Sequence, residues 1–72
     1  MDVYLTEREK NVLFYLVKGC TNEEIAGVLH ISIHTVKAHL EAIYVKLAVA
    51  NRVQAAMKAV AFDLIELEAS VN

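Results

Sequence analysis

Few side chains in this chain are equipped for covalent or metal chemistry. Three histidines, His30, His34 and His39, and a single cysteine, Cys20, are the candidates. A zinc site needs ligands that converge, and His34 and His39, five apart, would point about 140° from one another on a helix; no CxxC occurs. No metal and no other cofactor is expected. His39 reads as a partly packed wedge on a helix surface, and Cys20, beside Gly19, as a half-buried apolar residue. A lone cysteine makes no internal disulfide, which agrees with a reducing, cytoplasmic setting. The carboxylates Glu7, Glu9, Glu23 and Glu24 fall where helices begin and offset unsatisfied backbone N–H groups there; no pair brackets a substrate, so no enzyme is expected.

The remaining chemistry is recognition of anions. A net charge of −2 argues against a nucleic-acid partner, but the charge is unevenly spread. Residues 1–29 and residues 53–72 each sum to −2, which leaves +2 on residues 30–52, where Lys37, Lys46 and Arg52 face only Glu41 and all three histidines lie. On charge alone such a segment is an ordinary solvated face. Thr21, Asn22, Ser32 and Thr35, however, fall where two helices start, and helix starts present backbone donors and a favourable dipole to phosphate.

The elements that must position these residues are all helical. Proline is absent, glycine occurs only at 19 and 27, and no alternation is long enough for a strand. Thr6 with Glu9 and Thr21 with Glu24 are capping-box patterns, Ser32 and Asn51 are further caps, and Gly19 is a left-handed stop. Helices are predicted at about 7–18, 22–29, 33–47 and 52–64, an all-α four-helix bundle. Ile25, Ala26 and Leu29 form the apolar side of the second helix, after which His30-Ile31-Ser32 breaks the chain. In the third, Val36, Leu40, Ile43 and Leu47 make one buried stripe. His34, Ala38, Glu41 and Val45 then point outward, with Thr35, Lys37, His39 and Lys46 on the flanks. Two helices joined by so short a turn, the second amphipathic, form a helix-turn-helix at 21–40, whose second helix suits a major groove. Lys37, His34 and Glu41 are the side chains expected to reach base edges or nearby phosphates.

At 72 residues and 57% hydrophobic, the chain is a single domain, 1–72, comprising the helix-turn-helix and a fourth helix with its tail, 51–72. No apolar run approaches the roughly 18 residues of a membrane span, and no signal peptide is evident, so the protein is expected to be cytoplasmic, with no membrane partner. Residues 68–72 are expected to fray.

The residues themselves resemble the LuxR-type DNA-binding domain (the GerE/FixJ/NarL group). The likeness rests on LTERE at 5–9, Gly19, TNEEIA at 21–26, IS at 31–32, TVKAH at 35–39, KL at 46–47 and NR at 51–52. It implies a transcription regulator's sequence-specific domain, of the kind found at the C-terminus of response regulators in two-component systems, with a receiver or sensor domain preceding it. It also implies that Lys37, Ala38 and Glu41 face the groove, that Thr35, His39 and Lys46 meet the DNA backbone, and that the fourth helix supports a homodimer. Val53, Met57, Val60 and Leu64 form the stripe for that contact, and Arg52 joins the DNA-facing set. Glu23, Gly27, Glu41 and Val45 depart from a pattern that often has Lys or Arg, so a monomer is expected to bind weakly. Two other readings compete: a helical protein-interaction module with a degenerate helix-turn-helix and a contact surface at Phe14 or the fourth helix, and a sigma-factor-like helix-turn-helix.

Overall fold

The computed structural model describes residues 3–66. It contains α1 (Glu7–Val17), α2 (Asn22–Leu29), α3 (Ile33–Leu47) and α4 (Arg52–Ala61), and no strand among the described residues. Each helix starts where a side chain takes up an orphan donor. Thr6 and Thr21 accept from the backbone N–H groups of Glu9 and Glu24, and both glutamates reach back to the threonine N–H. Ser32 accepts from the N–H of Thr35, and Asn51 from that of Gln54.

The helix ends were less legible. Gly19 has φ +93°, and the N–H groups of Gly19 and Cys20 close back on Leu16 and Tyr15. The other three helices end in the left-handed region without glycine, at His30, Ala48 and Asp63, with φ of 59°, 57° and 55°. For L-residues this conformation costs about 1 kcal/mol, and no glycine marks it in the sequence. Here lies the reason α4 stops at Ala61 rather than near Leu64: Asp63 turns left-handed and the Leu64 N–H bonds to the Ala59 carbonyl at 2.8 Å. The expected frayed end at 68–72 lies outside the described residues.

One core joins all four helices. Val36, Leu40, Ile43 and Leu47 of α3 are buried against Val12, Leu13 and Leu16 of α1, Ile25 and Ala26 of α2, and Ala55 and Ala59 of α4, with Leu5 closing one end. α1 and α3 pack on each other; α2 and α4 each pack on both but not on one another. On α4 the core side is alanine. That lets its backbone sit close to α1 and α3 and leaves the larger Val53, Met57 and Val60 outside, 63%, 67% and 54% exposed. Leu64, expected as the fourth member of that outer stripe, lies past the helix end and is half-buried against the core.

Candidate nucleic-acid interface

α3 is the element whose two faces differ most. Its core stripe is no more than 4% exposed, whereas His34, Lys37, Ala38, Glu41 and Val45 are exposed, Val45 at 80%. Thr35 and His39 are half-buried at the margin, as their flanking register requires. The helix-turn-helix is therefore assembled with one edge of α3 exposed along its length, because the opposite edge supplies the centre of the core.

Of the two helix starts expected to face an anion, that of α3 carries less negative charge. Ser32 Oγ accepts from the Thr35 N–H at 3.0 Å and donates to Thr35 Oγ1 at 2.9 Å, which leaves the Thr35 hydroxyl proton available to a ligand. No acidic residue occupies the first turn of α3. At the start of α2 the situation is reversed. The Glu24 carboxylate already accepts from the Thr21 N–H at 2.8 Å and Glu23 lies beside it, so the helix dipole there is met by the chain's own negative charge. The Thr21 hydroxyl accepts from the Glu24 N–H and keeps its proton for an outside acceptor.

The two remaining basic candidates are already engaged. Arg52 donates through Nη1 to Asn22 Oδ1 at 2.9 Å and through Nη2 to the Cys20 carbonyl at 2.8 Å, tying the start of α4 to the α1–α2 turn and bridging the two helices that do not otherwise pack. Asn22 is thus oriented by Arg52 before any ligand arrives. A shallow depression beside this clamp is lined by Gly19, Cys20, Thr21, Asn22, Glu23, Ile33, Lys37 and Arg52. Lys46 donates to Glu9 Oε1 at 2.7 Å and its ammonium lies 5.7 Å from the Tyr4 ring centroid. Glu9 is 6% exposed. Burial pushes its carboxyl up, but the Lys46 ammonium and the Thr6 N–H outweigh that and hold it below the ordinary glutamate value.

Sequence reasoning missed these links. Capping pattern and first-turn position account for the bond of Glu9 to Thr6 but not for its lysine partner, although its register with Val12, Leu13 and Leu16 places it on the buried side of α1. Lys58, whose ammonium donates to the Leu47 carbonyl at 2.8 Å and so caps α3 from α4, carried no local signal. His30 and His34 are four apart in sequence. Within one helix that spacing would align two imidazoles, but His30 is the left-handed residue that ends α2 and His34 lies on α3. Among the described residues no group of three or more His, Cys, Asp or Glu is placed to hold a metal ion. No helix among them is long and apolar enough to cross a membrane.

The same architecture recurs in known proteins. The model of the family described as bacterial regulatory proteins, luxR family, matches residues 3–59. The response regulator protein VraR of Staphylococcus aureus is 47% identical over 62 residues, which are 86% of this chain and 30% of VraR. The solved structure of ChrA, a response regulator of a heme-sensing two-component system, superposes with a TM-score of 0.84 at 42% identity, covering 90% of this chain and 32% of ChrA. That of the transcription factor GerE gives 0.79 at 31% identity, covering 86% of this chain and 92% of GerE. The chain thus spans about a third of the length of the response regulators it matches and nearly the whole of GerE. The chain belongs to the luxR family of bacterial regulatory proteins, whose helix-turn-helix DNA-binding domain it is.

Proposed function

We propose that the domain binds double-stranded DNA sequence-specifically by laying α3 in the major groove, as half of a homodimer. The observation that carries this is the free edge of α3 from His34 to Val45, which begins at a cap with no carboxylate and backs directly onto the core. Thr21, Asn22, Ser32, Thr35 and His39 set the register on phosphates, and Lys37, His34, Ala38 and Glu41 reach base edges. Lys46 keeps two donors for phosphate while a third holds Glu9, so its charge is largely neutralised before DNA arrives. Arg52 acts mainly by orienting Asn22. By analogy with VraR and ChrA, the domain works in the cytoplasm as the output part of a response regulator in a two-component system, behind a receiver domain.

The dimer is supported by the outward Val53, Met57 and Val60, with Phe62 at 53% exposure beside them; Leu64 is left out of that face. With a net charge of −2, Lys46 paired with Glu9 and Lys37 the one lysine of α3 outside a salt bridge, a monomer binds weakly and two copies on adjacent half-sites bind usefully. A gel-shift selection from random DNA tests the proposal. Enrichment of a two-fold half-site that Lys37→Ala abolishes is the expected result, and no enriched sequence would overturn it. Sedimentation over a range of concentrations, with and without DNA, tests the dimer; a species that stays monomeric on DNA counts against it.

The same exposed face of α4 favours a second reading, a protein-interaction module that keeps the scaffold without DNA affinity. It predicts no DNA shift at low salt and capture of a protein partner that Met57→Lys prevents.

A further inference from the structure

The groove-facing edge of α3 is chemically unusual for a phosphate-rich ligand. Ala38, Glu41 and Val45 lie within an arc of about 60° on the side away from the core, and all three are exposed. Among the described residues Glu41 forms no ion pair: Lys46, the nearest cation toward the end of the helix, is held by Glu9, and Lys37, one turn earlier, makes no salt bridge. Val45, at 80%, is the most exposed large apolar side chain of the described residues. The edge therefore offers one unneutralised acceptor flanked by two apolar contacts.

We infer that Glu41 accepts a hydrogen bond from the N4 amino group of a cytosine and that Val45 packs on the C5 methyl of a neighbouring thymine. This rests on the proposed seating of α3 in the major groove. A carboxylate is acceptor-only, so it is repelled by the N7 and O6 of guanine and the O4 of thymine. Adenine offers a donor at N6 but sets the N7 acceptor beside it. Cytosine alone presents a donor with no adjacent acceptor on its major-groove edge. Along the axis Val45 is about 6 Å beyond Glu41 and Ala38 about 4.5 Å before it, distances of one to two base steps at about 3.4 Å each. The short Ala38 reaches a methyl less readily than Val45 does. The half-site thus contains a cytosine with a thymine within two base pairs of it, on the side met by the C-terminal half of α3. Both side chains point away from the core, so the readout is independent of stability.

Selections with the 72-residue chain and its Glu41→Gln variant, on random duplex at low salt, test the carboxylate. The wild type should enrich cytosine at one half-site position, and Glu41→Gln should move that position to adenine, whose N6 and N7 suit an amide. Replacing the neighbouring thymine by deoxyuridine removes only the methyl. That change should weaken the wild type about fourfold, as loss of one buried methyl contact does, and leave Val45→Ala unaffected. Sequence-selective binding with the same base preference in wild type and Glu41→Gln, or with no response to deoxyuridine, overturns the inference and leaves the seating of α3 intact. Absence of any DNA shift by the wild type at low salt overturns both.

Discussion

Two stretches of this chain carry one and the same local pattern, Thr6 to Glu9 and Thr21 to Glu24, and both fold into reciprocal capping boxes with hydrogen bonds of 2.8 to 3.1 Å. There the likeness ends. Glu9 is buried and holds Lys46 of α3, 37 residues away, whereas Glu24 stays exposed and meets nothing but its own cap. The first box is a tertiary joint that fixes the end of α3 to the start of α1. The second is a local stop whose negative charge lies at the end of α2 that the proposed complex turns toward phosphate. Identical pairs of residues thus differ in structural role because one glutamate is covered by a lysine and the other is exposed.

The difference can be broken from its strong side first. Lys46→Met leaves the Glu9 carboxylate buried without its partner and should cost about 2 kcal/mol in urea denaturation. That is less than the ~3–5 kcal/mol of a fully enclosed pair, because the lysine side chain is 33% exposed. A cost no larger than that of Glu24→Gln would erase the contrast. The threonines come next. Thr6→Ala should lose about 1–2 kcal/mol and leave DNA affinity alone, while Thr21→Ala should lose about 0.5–1 kcal/mol and weaken DNA binding as well.

Acid unfolding sharpens the same point. The folded Glu9 carboxyl titrates below the ordinary value near 4.5, so the unfolded chain binds its proton first. The stability it contributes is complete above that value and is lost as pH falls through the folded pKa. As pH falls from about 5 through the folded pKa, the wild type should lose more stability than Glu9→Gln, measured as denaturation midpoints at each pH. The smallest effect belongs to Glu24→Gln, which removes a first-turn charge for about 0.5 kcal/mol of stability and should raise DNA affinity about twofold by filter binding, since the phosphate no longer faces a carboxylate.

Much of the molecule was legible in order of residues alone. All four helix starts follow from Thr6, Thr21, Ser32 and Asn51, whose side chains need only their own next turn to find a partner. The stripe Val36, Leu40, Ile43 and Leu47 is buried as its period demands, and the outward set His34, Ala38, Glu41 and Val45 is exposed for the same reason. The ends were harder to read, because His30, Ala48 and Asp63 adopt a glycine-like backbone that their chemistry does not announce. Periodicity alone carries Leu64 onto the outer face of α4, whereas the left-handed Asp63 turns it toward the core.

Around the candidate interface the division is similar. Which side chains line the edge of α3 is a matter of spacing within one helix, and the sequence determines it. Which of the basic residues still carry a free charge is decided only in three dimensions. Lys46 meets the Glu9 carboxylate across 37 residues; Arg52 clamps the neutral Asn22 across 30 and keeps its charge, and Lys37 has no ion-pair partner among the described residues. Periodicity and capping act within a few residues and survive in the linear order. Pairing between charges depends on which helices become neighbours, and the packing of α1 and α4 around α3 settles that.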